Sequence, residues 1–392
     1  MAAALTTLAT ETLPYAANES LASNATPPTL SSLVLQYQGI WYGCFVVMGI
    51  ILPLGLICNT LSFVVFVTSK ALIKTSTGHY LVALSIADWL FLVGDFIRWL
   101  HTASPLTSDF YLDVDFMFTN DVVCKLTHFV RYGSKLASAW TTVAITVERF
   151  ISVRWPLHAH QMSTVSRARL VIAATYVTCF TLGAYPLWTV AVAPYGPEKT
   201  ACRIVKPLSY KTWSWVSLRI GSLLLPGILM LVFTGLIVLS LAKAKDQRLT
   251  RLSYRRPSPG ARINNSVHRI KHNVQRQLTA ILLAVGISFI LLRLPYTVTY
   301  YLNNYKKHIW KPMTKTRSVN MYTINKVADV VATSNYAINF FLYCFCGSAF
   351  RGQLKALTCS WRSNRHKSSG YSATASFSLS ERTSPYQTRS RS

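Results

Sequence analysis

Over 392 residues the chain is 51% hydrophobic and only 14% charged, with a positive mean hydropathy, which excludes a soluble domain of this size. A net charge of +27 would suit nucleic acid, but the basic residues gather in loops outside the apolar runs, so no nucleic-acid role is expected. Runs of about 20 mainly apolar residues are long enough to cross a bilayer. In chain order they fall at Trp41 to Ser69, His79 to His101, Val122 to Val153, Ala168 to Val190, Trp213 to Ala242, Leu278 to Leu302 and Val327 to Phe345. That makes seven spans, with the two ends of the chain on opposite faces of a membrane.

Charge sets the orientation. The segment between spans five and six carries Lys243, Lys245, Arg248, Arg251, Arg255, Arg256, Arg262, Arg269, Lys271 and Arg276 against Asp246 alone, and the tail carries Arg351, Lys355, Arg362, Arg365 and Lys367. Both are placed in the cytoplasm by the positive-inside rule, and the N-terminus outside. The loop with Lys306, Lys307, Lys311, Lys315 and Arg317 breaks the rule, but two long basic segments outweigh it. Asn18-Glu19-Ser20 and Asn24-Ala25-Thr26 are glycosylation acceptors that an exported tail would use. Asn264-Asn265-Ser266 has the same pattern but falls in the cytosolic loop. No positive segment precedes the mildly apolar start, so span one is expected to serve as the export signal.

Every span but the fourth holds a distinctive marker. These are Asn59 in CNTLSFVVF, Asp88 closing LSIAD, the Glu148-Arg149-Phe150 triplet, Pro226, Phe289 with Pro295, and Asn339-Phe340-Phe341-Leu342-Tyr343. Together they resemble the rhodopsin-like (class A) G-protein-coupled receptors over roughly Trp41 to Cys359. The NTLSFVVF element and NYAINFFLYCFCGSAFRGQL look most like invertebrate-type neuropeptide receptors of the FMRFamide-receptor group. The resemblance implies an all-α membrane protein, a seven-transmembrane helix bundle with a short amphipathic eighth helix. The expected domains are a glycosylated outer tail at 1–38, the receptor at 39–346, a membrane-surface helix at 347–360 and a disordered cytoplasmic tail at 361–392. The function implied is binding of an extracellular ligand and activation of a heterotrimeric G protein at the plasma membrane. Arrestin and receptor kinases are expected to act on the hydroxyl-rich tail, and basic segments are expected to meet anionic lipid.

The resemblance also assigns roles. Glu148, Arg149, Phe150, Pro226, Phe289, Pro295, Asn339 and Tyr343 are implied in coupling and activation, the prolines as hinges or as static bends. A lone Asp in mid-bilayer costs roughly 2.5 to 3.5 kcal/mol on insertion scales, so Asp88 needs partners. Ser138, Asn335 and Asn339 are implied around it, as a sodium pocket or as a polar cluster without an ion. Cys124, at the outer start of span three, and Cys202, in the outer loop between spans four and five, are expected to pair in an oxidising compartment. Cys359 is a palmitoylation candidate or an unmodified thiol. The pattern departs from the family at Arg293 and Tyr176, where Trp is frequent, at Thr234, where Tyr is, and at Phe340, where Pro is. Gln275 and Arg276 stand where an acid would lock Arg149, so measurable basal signalling is expected.

Asp95, Arg98, Arg131, Lys135, Arg219, Arg293 and Asp329 sit in the outer halves of spans and are the candidate ligand-binding set. So many cations are expected to line a water-filled cavity rather than face lipid. Internal pairing of Asp95 with Arg98 and of Asp329 with Arg131 is the bland alternative; it leaves Lys135, Arg219 and Arg293 without acids. Arg131 stands where amine receptors of the family place an aspartate, and Thr333 where opsins carry a lysine, which disfavours both ligand classes. A peptide ligand is expected, with a small acidic metabolite as the alternative. A transporter is the competing class, but internal repeats and broken half-helices are not evident. No enzyme motif is present.

Overall fold

The computed structural model describes residues 30–70, 72–103, 120–155, 159, 161–195, 199–214, 220–222, 224–254, 280–300, 302, 315–348 and 350–357. The long helices are α1 Leu30–Thr68, α2 Ser76–Ala103, α3 Asp121–Arg154, α4 Val165–Leu182, α5 Leu225–Tyr254, α6 Ala280–Tyr300 and α7 Lys315–Cys346. A short α8, Phe350–Leu357, leaves α7 at 98°. The helix α1 begins well before Trp41, where the apolar run starts.

Among the described residues five helices (α1, α2, α4, α5 and α6) are long and apolar enough by themselves to cross a membrane, and six if α7 with the bent α8 is taken as one span. The remaining span, α3, carries Lys125, Arg131, Lys135, Glu148 and Arg149, and those charges dilute its hydropathy. It tolerates them because it lies at the centre of the bundle, with Leu136, Ala137, Ser138 and Ala139 all essentially inaccessible. Its partners turn their apolar sides outward. Leu170 and Val177 on α4, Leu239 on α5 and Leu291 on α6 are each exposed, a surface that only lipid would cover.

Close packing depends on a few small residues. Pro53 inside α1 presses toward the carbonyl of residue 49, four positions earlier. That position is Gly49, where an added Cβ would lie 2.6 Å from the Trp99 ring. Between α3 and the end of α4 the backbones themselves meet: a Cβ on Gly183 would lie 2.7 Å from the Gly133 nitrogen, and one on Gly133 would lie 2.6 Å from the Phe180 ring. Gly183→Val is therefore expected to cost about 1–3 kcal/mol through overpacking. The check is a lowered thermal midpoint of the purified protein beside Gly227→Ala, whose new methyl meets nothing within 4 Å.

After α4 the chain makes a one-turn helix, Pro186–Thr189, and then an antiparallel hairpin of β1 Val190–Tyr195 and β2 Lys199–Ile204, with Val192 opposite Cys202. This hairpin is an addition to the all-helical expectation. A two-turn helix, Pro207–Ser214, follows. At the other face, α8 lays Phe350 against Phe66 and Tyr343, with Leu354 and Leu357 on the same cluster and Arg351 and Lys355 outward. The amphipathic eighth helix is thus formed as expected.

Candidate functional site

Three polar layers stack along α3. The outermost is tied by a disulfide between Cys124 and Cys202, whose Cα atoms lie 5.7 Å apart. Asn120 caps α3 by accepting from the amides of Val122 and Val123. The adjacent Asp121 accepts from the Val192 amide at 3.0 Å and pairs with Lys125. Helix cap, hairpin and disulfide therefore hold one another at the mouth of the bundle.

Below the hairpin lies the candidate cavity set. Asp95 is 2% exposed and accepts from Arg131 Nε, while Arg98 reaches the same oxygen at 3.3 Å. Pairing of Asp95 with Arg98 agrees with the internal-pairing alternative. Pairing of Asp329 with Arg131 does not: helix rotation turns Arg131 to α2, and Asp329 makes no ion pair among the described residues. The Arg131 guanidinium also covers the rings of Phe91 and Tyr132, at 5.5 and 5.3 Å. Lys135, one turn deeper, points between Tyr296 and Phe91, and Arg293 lies over Phe289 and Tyr336. Neither makes an ion pair among the described residues. Arg219 lies outside the described residues.

In the middle layer Asp88 is fully buried. One carboxylate oxygen accepts from the Ser138 hydroxyl at 2.5 Å and the other from the Asn339 amide at 2.7 Å. Asn335 is buried one turn before Asn339 on α7. Asn59 joins α1 to this layer by donating to the carbonyls of Gly55 and Tyr336, at 2.9 and 2.8 Å. The oxygens of Asp88 and Ser138 suit a hard cation such as sodium by their chemistry. As folded, the hydrogen bonds already satisfy both carboxylate oxygens.

At the inner end Glu148 accepts from Ser76 and from Thr77, the latter at 3.2 Å, and lies 3.6 Å from Arg149. Arg149 is buried, and its Nε has no partner among the described residues. Phe150 packs on Trp155 and on Phe233 of α5. Tyr343 is 1% exposed, against Phe66 and Phe350, and Phe340 packs on Phe341 and Phe350. Proline lacks the amide that a wide turn over 220–222 would use, and Pro226 stands five residues after Gly221. The Gly221 carbonyl instead accepts from Trp140 Nε1 at 2.8 Å. Phe289 packs with Met230, Ala139 and Val143 below Arg293, and Pro295 lies within α6. Tyr176, standing for the frequent Trp, donates to the Ala83 carbonyl of α2.

A family model described as "7 transmembrane receptor (rhodopsin family)" matches residues 40–343, most of the chain. The chain belongs to the rhodopsin family of seven-transmembrane receptors. It is thus a non-enzymatic, multi-pass membrane receptor. Among curated proteins it is 33% identical over 199 residues to the cholecystokinin receptor type A of Rattus norvegicus, covering 49% of this chain and 42% of that one. To the Cavia porcellus form of that receptor it is 24% identical over 352 residues, 77% of each chain. To sex peptide receptor-related protein 2 of Caenorhabditis elegans it is 24% identical over 246 residues, 57% of this chain and 51% of that one. The chain spans under half the length of the first two curated relatives it matches.

Within this receptor several contributors escaped sequence reasoning. Ser76 and Thr77 open α2 and hold Glu148, though nothing in their local sequence points to a residue 71 or 72 positions on. Phe91, Tyr296 and Tyr336 supply ring faces to Arg131, Lys135 and Arg293. Their signal was limited to apolar-helix spacing, which core residues share. Asn18, Asn24, Gln275, Arg276 and Cys359 lie outside the described residues.

Proposed function

We propose that this receptor is switched by an extracellular peptide and activates heterotrimeric G protein from its inner face. The observation that carries the reading is the separation of two charged layers on one buried helix. Arg131, held by Asp95, faces the hairpin end, while Arg149, 18 residues on and about 27 Å away at 1.5 Å per residue, lies at the other. A disulfide needs an oxidising compartment, which supports placing the Cys124–Cys202 end outside the cell and the basic segments inside. The names of two relatives, a cholecystokinin receptor and a sex peptide receptor-related protein, support a peptide ligand here. The likeness of the α7 stretch to the FMRFamide-receptor group supports the finer assignment to a neuropeptide.

The rest of the cycle follows from population shift: an agonist that binds the active arrangement more tightly favours it. Pro226 and Pro295 serve as hinges, and sodium at Asp88 and Ser138 favours the inactive arrangement. Arrestin and receptor kinases engage the cytoplasmic tail, Cys359 anchors it when palmitoylated, and Asn18 and Asn24 carry glycans. The second reading, a small acidic metabolite as ligand, is supported by Lys135 and Arg293, which have no acid within ion-pairing distance among the described residues.

The test is a calcium readout in cells that express the chain with a promiscuous G-protein α subunit, challenged with a neuropeptide library. A dose-dependent response that disappears in Arg149→Ala is expected. Silence toward every peptide, with surface expression confirmed and a response to small carboxylic acids instead, would replace the peptide by the metabolite.

A further inference from the structure

Two cations, Lys135 and Arg293, lie buried among ring faces. Arg293 is 3% exposed, and its Nε and Nη1 have no hydrogen-bond partner among the described residues. Its guanidinium lies 4.8 Å from the centroid of the Phe289 ring and 5.2 Å from that of Tyr336. The Tyr336 hydroxyl is likewise buried without a partner among the described residues. Tyr336 stacks on Phe91 at 3.9 Å, and the ammonium of Lys135 lies 5.9 Å from the same Phe91 ring and 5.3 Å from Tyr296. Lys135 and Arg293 are close enough for their like charges to act on each other.

The acids nearby do not resolve this. Asp88 has each oxygen engaged by Ser138 or Asn339, and Asp95 is taken by Arg131 and Arg98. Asp329 acts on Lys135 only beyond ion-pairing distance. A guanidinium does not deprotonate in a protein, and ring faces offset only part of its lost hydration. Two N–H groups of Arg293 and the O–H of Tyr336 are therefore buried without an acceptor among the described residues, on the same ring stack that the Lys135 ammonium faces.

We propose that Arg293, Tyr336 and Lys135, which lie between α3, α6 and α7, form an anion subsite that takes one dehydrated anionic group. Free halide and the carboxylate of a bound ligand share the required chemistry. The inference stands on the buried donors without partners and not on the peptide reading, since its test uses no agonist; either can fail alone.

The experiment is thermal unfolding of the full-length receptor in nanodiscs at fixed sodium concentration and ionic strength. Gluconate, the reference anion, is replaced stepwise by chloride, bromide or acetate. A ligand that binds only the folded state raises the midpoint in a saturable way. The midpoint is expected to climb and saturate in the wild type and to stay flat in Arg293→Gln. Tyr336→Phe removes one O–H and keeps the ring stack, so its apparent anion affinity is expected to fall about tenfold. It carries the test if Arg293→Gln does not fold. A rise with halide identifies the free ion as occupant, and a rise with acetate alone identifies a ligand carboxylate. A flat wild-type midpoint in every anion, or an unchanged titration in Tyr336→Phe, overturns the site.

Discussion

Asp95→Asn is expected to remove most of the receptor from the cell surface. The Asp95 side chain is 1% exposed and anchors Arg131, itself largely covered by Phe91 and Tyr132, together with Arg98. Asparagine fills the same volume, so packing is preserved and only the charge is lost. Arginine cannot shed its proton, and a buried cation deprived of its acid destabilises by about 3–5 kcal/mol. That is comparable to the whole stability of many folded domains, roughly 5–15 kcal/mol. Adding Arg131→Gln removes the orphaned charge, so the double variant is expected to recover a large part of the lost expression, a non-additivity that the four-way cycle reads directly. Surface immunostaining against total protein is the measurement. If Asp95→Asn alone reached the surface at the wild-type level, water would be solvating Arg131 and the buried pair would not be structural.

The same pair shows what a sequence conveys and what it withholds. Apolar runs located every span, because a bilayer imposes one length on all of them. Even α3, whose charges dilute its hydropathy, was recognisable by its length and by the Glu148-Arg149 pair at its end. Partnerships across helices are another matter. Arg131 had two acids at plausible depth, Asp95 and Asp329, and the relative rotation of α2, α3 and α7 decides between them. That rotation is set by contacts such as Gly94 of α2, beside Asp95, where an added Cβ would lie 3.0 Å from the Cβ of Arg131. No local pattern encodes it. The Asp88 cluster was legible because a mid-bilayer acid must find oxygen and amide partners and the family pattern supplied them. Asn335 is buried one turn before Asn339, while the donors to the two Asp88 oxygens among the described residues are Ser138 and Asn339. The hairpin that carries Cys202 was hidden by a stretch too short and too mixed in composition to announce strands.

Glu148→Gln is expected to raise basal signalling several-fold at matched surface expression, and Arg149→Ala to abolish both basal and stimulated response. Glu148 gathers three groups: the hydroxyls of Ser76 and Thr77 at the start of α2, and the guanidinium of Arg149 beside it. Two of these bind the foot of α3 to α2, and the third keeps Arg149 turned inward. Hydrogen bonds to a charged group contribute about 1.5–3 kcal/mol, and 1.4 kcal/mol is a tenfold change in population. If the triad exists only in the inactive arrangement, losing even half of one such bond shifts the balance toward the active one by several-fold. Gln retains an acceptor oxygen and a similar shape, so the effect reads the charge rather than a cavity. Ser76→Ala and Thr77→Ala are expected to move basal activity in the same direction by smaller steps, because each removes one donor and leaves the ion pair. Inositol phosphate accumulation without agonist measures all four. Should Glu148→Gln leave the baseline unchanged while Arg149→Ala still silences the receptor, Arg149 would be a coupling residue that Glu148 does not restrain, and the inactive state would have to be held elsewhere along α3.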